Sequence, residues 1–256
     1  MSAKRGALSL LVGVAIAATG CAGEGSTVEI VRGKNARTNV RDVAVAIINP
    51  QPGEVVQNPV RLELVLAGFE LGDPTPGADE RGVKLSEQGQ HLYLIIDDGP
   101  HMAIYDVSRP VTLDELAPGP HTVRVIPLLQ WHESLKGPGT FEAAQFYVGS
   151  QTGELPIKPG APLLTYIRPV GTYSGADADS VLLDFHLRNA RLGPGGHKVR
   201  LTIDGKRAQD LTEWVPYYLV GLDTGEHTIS LQLRNPVGRI VPGIYNTTDR
   251  TIRIER

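Results

Sequence analysis

His91-Leu92-Tyr93-Leu94-Ile95-Ile96-Asp97-Asp98-Gly99 and His197-Lys198-Val199-Arg200-Leu201-Thr202-Ile203-Asp204-Gly205 read as one element written twice, 106 residues apart. At the same separation Leu116-Ala117-Pro118-Gly119-Pro120-His121-Thr122-Val123 falls on Leu222-Asp223-Thr224-Gly225-Glu226-His227-Thr228-Ile229, and Phe146 to Val148 falls on Ile252 to Ile254. Upstream, Ile48-Asn49-Pro50 pairs with Ile167-Arg168-Pro169 at an offset of 119, so the first copy carries extra residues. The surplus is the polar stretch Gly72 to Gly89. Self-similarity held in one register marks a duplicated unit.

Each copy is roughly 100 residues of short alternating segments broken by turns, the size and rhythm of an immunoglobulin-like sandwich. In the first copy Val60, Leu62, Leu64 and Leu66 alternate with Arg61 and Glu63; in the second, Val181, Leu183, Phe185 and Leu187 alternate with Asp184, His186 and Arg188. Period-two patterning puts one face in a core and the other in water. Val199, Leu201 and Ile203 follow the rule. In the first copy the 106-residue alignment puts Leu92, Leu94 and Ile96 on the outward face, and contiguous exposed apolar surface needs a cover. The Gly72 to Gly89 insertion, the second domain or a partner protein would supply that cover. The expected fold is all-β, two tandem Ig-like β-sandwiches behind an N-terminal signal: residues 1–20 a signal peptide, 21–42 a lipidated N-terminus and flexible tether, 43–148 the first sandwich, 149–162 a Gly/Pro-rich linker and 163–256 the second.

The N-terminus supplies an address. Lys4 and Arg5 precede about 13 small and apolar residues, Gly6 to Ala18, too few for the roughly 20 that span a bilayer. Ala18-Thr19-Gly20-Cys21 resembles the lipobox of bacterial lipoproteins, although Ala18 stands where leucine is commoner. The resemblance implies cleavage before Cys21 and covalent acyl groups, a thioether-linked diacylglycerol included, on the only cysteine of the chain. In bacteria with two membranes it also implies an outer-membrane destination on the periplasmic face, because Ala22 is not the aspartate linked to inner-membrane retention. The chain as a whole resembles bacterial envelope lipoproteins with tandem immunoglobulin-like or fibronectin-III-like sandwiches. Several acyl chains hold a protein firmly to a membrane. Losing Lys4 and Arg5 takes the formal charge from −3 to −5, which disfavours nucleic acid as a partner.

Four sets of residues carry the functional expectations. The segment Trp131-His132-Glu133-Ser134-Leu135-Lys136 precedes Gly137-Pro138-Gly139 and reads as a sandwich end loop, where recognition residues are often placed. Trp131, His132, Glu133 and Lys136, with Leu92, Leu94 and Ile96, are expected to bind a membrane-associated protein partner, against the alternative that Trp131 caps the core. Trp214, Tyr217 and Tyr218 are an aromatic cluster suited to stacking on cell-wall carbohydrate, against core packing. His101, His132, Asp97 and Asp98 are the donors that a copper or zinc site would draw on, since such sites need three or four converging ligands. His121 and His227 recur after a turn glycine and are expected to tie the preceding corner to the core; His91 and His197 recur at a strand start in a structural role. No GxSxG elbow, P-loop or HExxH motif occurs. Ser134, His132 and Glu133 do not make a triad by adjacency, because neighbouring side chains point apart. The chain is read as non-catalytic, without a cofactor beyond the acyl groups on Cys21.

Overall fold

The computed structural model describes residues 28–36, 41–81 and 83–256. The signal-peptide and Cys21 expectations lie outside the described residues. The strands are β1 (Glu29–Arg32), β2 (Ala44–Asn49), β3 (Val55–Val56), β4 (Val60–Ala67), β5 (His91–Ile96), β6 (His101–Ile104), β7 (Val111–Leu113), β8 (Gly119–Leu128), β9 (Glu142–Val148), β10 (Leu163–Arg168), β11 (Gly171–Ser174), β12 (Ser180–Arg188), β13 (Lys198–Ile203), β14 (Arg207–Leu211), β15 (Tyr217–Val220), β16 (Gly225–Arg234) and β17 (Thr247–Glu255). One short helix, α1 (Ala176–Asp179), precedes β12.

In the first sandwich the sheet β2-β4-β7 faces the sheet β3-β9-β8-β5-β6; in the second, β10-β12-β15 faces β11-β17-β16-β13-β14. The two orders match strand for strand. Both copies pair a short strand parallel to the last one, β3 with β9 and β11 with β17, and keep every other pair antiparallel. Both carry a register shift in the opening strand, at Ile47/Asn49 and at Tyr166/Arg168. The alternation on β4 sends Val60, Leu62 and Leu64 inward and leaves Arg61 and Glu63 exposed, as period-two patterning requires.

The apolar face of β5 is corrected. Leu92 and Leu94 lie fully buried inside the first sandwich with Leu62, Val123 and Phe146, and Ile96 packs against the same core. Register explains the error. Ile96 pairs with Val123 and Ile203 with Ile229, so β5 and β13 correspond at 107 residues although β8 and β16 correspond at 106. Asp97 (φ 51°) and Asp204 (φ 52°) hold the same left-handed turn position, and the first copy has an extra Asp98 before its glycine. A slip of one residue sends every side chain of a strand to the other face. The outward residues are Tyr93 and Ile95, and the second sandwich covers them through Leu163, Ile167 and Tyr245. Tyr93 Oη donates to the Ile167 carbonyl at 3.0 Å.

The expected tether over residues 21–42 is corrected where the structure describes it. β1 pairs antiparallel with β15 and extends the second sandwich, before the chain enters the first. Val28 and Ile30 pack on the second core. Arg32 pairs with Glu213 at 2.6 Å, and Gly33 N–H donates to the Pro216 carbonyl at 2.8 Å. A Cβ on Gly33 would stand 2.9 Å from that carbonyl oxygen, so only glycine allows the approach. The segment between β9 and β10 is also pinned: Ile157 N–H donates to Gln145 Oε1 at 2.6 Å and Gln145 Nε2 donates back to the Ile157 carbonyl at 2.7 Å.

Because β1 shields one edge of β15, deleting residues 28–34 is expected to speed hydrogen exchange at the Tyr217–Val220 amides while those of β5 and β8 stay protected. Unchanged exchange on β15 would show that β1 contributes nothing to the second sheet.

Candidate functional site

The hairpin loop between β8 and β9 is built by its own backbone. Leu129 N–H donates to the Glu133 carbonyl at 2.9 Å, His132 N–H to the Leu129 carbonyl at 2.8 Å and Leu135 N–H to the Pro127 carbonyl at 3.0 Å. His132 takes a left-handed conformation at φ 67°. Gly139 lies against the backbone of Val43 so closely that a side chain would collide with it. Held this way, the loop turns its polar groups onto the outer face of β12. Lys136 Nζ pairs with Asp184 Oδ1 at 2.6 Å, with side chains only 3% and 0% exposed. Ser134 N–H donates to Asp184 Oδ2 at 2.7 Å. Trp131 Nε1 donates to Glu133 Oε2 at 2.8 Å, and Ala36 N–H donates to Glu133 Oε1 at 3.1 Å.

The expectation that this loop is a free recognition surface is therefore corrected. Trp131, Glu133, Ser134 and Leu135 are all buried. The Gly72 to Gly89 insertion helps to cover Trp131, with Ala78 in the same cluster, Val83 and Leu85 against it, and the Arg81 guanidinium 4.1 Å above the indole. Asp184 and His186 were expected in water, and they are buried because the loop sits on them. His186 stacks on Phe141 at 5.0 Å and meets Trp214 edge-on at 4.7 Å. Burial, with the Lys136 charge adding to it, pushes the His186 imidazole down to about 3. Burial raises the Glu133 carboxyl, a trend that Lys136 opposes.

The recurrent histidines hold their corners. His121 Nε2 meets the Ala117 carbonyl at 2.7 Å and Nδ1 meets Asp97 Oδ2 at 2.8 Å; His227 meets the Asp223 carbonyl and Asp204 Oδ2, each at 2.8 Å. A ring facing two acceptors satisfies both only with both nitrogens protonated. For His227 burial opposes the charge, but the Asp204 and Asp223 hydrogen bonds outweigh it, and its pKa is raised. His91 is buried with Nδ1 3.2 Å from the Gly89 carbonyl, while His197 opens the β13 edge, bridging to Leu192.

The proposed metal donors are not brought together. Asp97 is taken by His121 and Thr122 N–H, and Asp98 pairs with Arg250. His101 stacks on Tyr93 at 4.1 Å, and His132 meets His91 edge-on at 5.3 Å. Among the described residues no group of three or more His, Cys, Asp or Glu has metal-holding geometry. The aromatic trio likewise divides. Trp214 is half-buried with Nε1 on the Phe185 carbonyl at 3.0 Å, Tyr217 is in the core with its hydroxyl on the Glu213 carbonyl at 3.0 Å, and Tyr218 faces the opposite way. Adjacent residues of a strand point to opposite faces, so the three do not form one stacking platform.

Tyr218 instead lines a cleft of about 450 Å³ between the two sandwiches, with Tyr105, Trp131, His132, Arg168 and Tyr173. Arg168 and Asp184 were not singled out in the sequence. The available signal for Asp184 was a charge in the middle of the apolar run Val181 to Leu187.

The strand order and its repetition define a tandem immunoglobulin-like, fibronectin-III-like protein. No protein-family model and no curated protein matches the chain. Among solved structures it is similar to the fibronectin(III)-like modules of Clostridium thermocellum CbhA, at 12% identity over 82% of this chain and 94% of that one, with a TM-score of 0.29. It is also similar to the D00-D0 domain of intimin, at 9% identity over 84% and 100% of the two chains and a TM-score of 0.25. A third similarity is to Bacteroides ovatus SGBP-B of a mixed-linkage glucan utilization locus, at 13% identity over 91% and 71% and a TM-score of 0.22. Among the described residues no helix is long and apolar enough to cross a membrane.

Two outcomes follow from this geometry. Lys136→Met leaves Asp184 buried without its partner and is expected to lower the unfolding free energy by about 3–5 kcal/mol; a loss under about 1 kcal/mol in denaturant titration would refute a structural role for the pair. With its pKa raised, His227 contributes stability in full below the unfolded value of about 6.5, and that contribution is lost as pH rises through the higher folded value. The pH dependence in that window is expected to flatten in Asp204→Asn, read from thermal melts.

Proposed function

We propose that this protein is a non-catalytic adaptor, anchored through Cys21 on the periplasmic face of the outer membrane, that docks onto a membrane-associated protein through the loop between β16 and β17. The observation that carries the reading is the exposure of three large apolar side chains on that loop: Val237 at 77%, Ile240 at 52% and Ile244 at 65%. The loop repeats its counterpart in the first copy. Asn235 N–H donates to the Arg239 carbonyl at 2.8 Å and Val241 N–H to the Leu233 carbonyl at 2.9 Å, which are the Leu129 to Glu133 and Leu135 to Pro127 bonds displaced by 106 residues. Val237 stands where Trp131 does, Ile240 where Ser134 does and Ile244 where Pro138 does. In the first copy this loop is the element that docks onto a neighbouring sandwich. In the second it has the same backbone and an unpartnered apolar tip, and clustered exposed apolar residues mark interaction sites.

Anchoring supports a partner in the same membrane. Cys21 lies seven residues before Val28, a reach of at most about 25 Å at roughly 3.6 Å per residue, and Val28 packs on the second sandwich. With lipid on Cys21, the second sandwich would be the one nearer the membrane.

The triple substitution Val237→Ser, Ile240→Ser and Ile244→Ser is expected to reduce recovery of a partner from detergent-solubilised membranes at least tenfold. Val65→Ser, at an exposed site on the first sandwich, is expected to leave recovery unchanged. Equal recovery with the triple variant, checked for unaltered thermal unfolding, would overturn the reading.

A further inference from the structure

We propose that the cleft between the two sandwiches binds a small ring-bearing monocarboxylate, with Arg168 as the group that takes the carboxylate. The volume of about 450 Å³ falls within the roughly 300–1,000 Å³ of small-molecule sites. Its walls come from both sandwiches: Tyr105 and Trp131 from the first, Tyr173 and Tyr218 from the second. Aromatic faces on either side of a slot suit a flat or six-membered ring.

Arg168 supplies the charge. It closes β10 just after the register shift, where the first copy has Asn49 with its amide turned onto the Arg61 carbonyl; the cation belongs to the second copy alone. Its side chain lines the cleft beside Tyr173. Its Nε is buried with no hydrogen-bond partner among the described residues, and the same holds for Nδ1 of His132 on the facing wall. A native fold leaves few buried polar groups unpaired, and two of them belong to residues that line this one cleft. No carboxylate among the described residues forms an ion pair with Arg168, although the chain pairs Lys136, Arg200 and Arg250 with acids. A guanidinium can hold a carboxylate through two parallel hydrogen bonds.

The surroundings limit the ligand to one negative charge. His91, His101 and His132 lie close enough to Arg168 to be influenced by it. Burial first, and then the Arg168 charge for His101 and His132, hold those two imidazoles down to about 4 and about 2; His91 is lowered by the same burial and charge, against its hydrogen bond to Gly89. All three are neutral near pH 7, so they add no positive charge. Lys84, Glu87 and Asp177 also line the cleft. With Arg168 and Lys84 against Glu87 and Asp177, the lining carries no net positive charge to favour a dianion such as phosphate. Tyr173 adds a second donor: its oxygen accepts from Val170 N–H at 3.0 Å, which leaves its own proton available to a ligand.

The test uses the full chain in detergent and calorimetric titration with four probes: D-glucuronate, benzoate, D-glucose and inorganic phosphate. Saturable binding of glucuronate or benzoate, with glucose and phosphate at least tenfold weaker, is the expected result. Preference between the two acids identifies an acidic sugar or an aromatic acid as the natural class. Arg168→Met is expected to weaken the preferred acid at least tenfold. Leu182→Trp, which fills the cleft from β12, is expected to do the same and covers the case in which Arg168→Met fails to fold. An independent readout is the nuclear magnetic resonance titration of His101, which should move to higher pH in Arg168→Met and when the acid is bound. Binding of neither acid, equal binding of glucose, or binding indifferent to both variants would overturn the proposal, and none of these results bears on the loop at Val237 to Ile244.

Discussion

A lysine and an aspartate, both taken out of water, decide how the two halves of this molecule meet. Burying two charges costs more than an apolar contact of the same volume would, so the Lys136 and Asp184 pair is a poor source of stability but a strict specifier. Only one placement of the loop after β8 on β12 leaves neither charge unpaired. Asp184 also accepts the Ser134 amide, so the backbone of the loop is fixed by the same carboxylate. Apolar contacts then add area around this pivot: Tyr93, Ile95, Ile126 and Leu128 against Leu163, Ile167 and Tyr245. Burial of such side chains is worth roughly 1.5–3 kcal/mol each, but it is non-directional and would tolerate a shifted placement. The ion pair supplies the direction. The cleft lined by Arg168 exists because the halves are held at this one angle.

The two copies share a backbone and have divided their roles. The same loop, with the same internal hydrogen bonds, is polar and docked in the first copy and apolar and bare in the second. β12 carries Asp184 and His186 to receive the loop, whereas the corresponding face of β4 shows Glu63 to solvent. Arg168 replaces Asn49. Divergence at these surface positions has left the cores alone: Leu62 and Leu183, Val123 and Ile229, and Phe146 and Ile252 all remain buried.

Much of this was legible in the linear chain, and the failures have identifiable physical causes. The duplication, the sandwich class and the corner histidines follow from local periodicity and from residues kept in register. The face of β5 was misread because one extra residue, Asp98, sits in the turn after it, and a repeat alignment made through the glycine carries that slip into the whole strand. The Trp131 loop was misread because its polar composition looks the same whether the charges meet water or a partner 48 positions away. Arg168 carried no signal at all. Its significance rests on the lack of an ion-pair carboxylate among the described residues, and that is a property of three-dimensional surroundings. The pairing of β1 was hidden for a related reason, since four residues without strong alternation acquire a strand's conformation only from the β15 edge.

That last pairing also sets the order in which the molecule can be completed. Ile30 lies opposite Leu219, so about 190 further residues must be made before β1 has anything to pair with. Contacts so distant in sequence form late, because closing the intervening chain is entropically unfavourable until other structure has shortened it. The first sandwich can assemble from its own residues while the N-terminal strand waits. When β15 takes its place, β1 joins its edge and Ala36 reaches Glu133 at the seam between the halves, so the beginning of the chain is the piece that closes it.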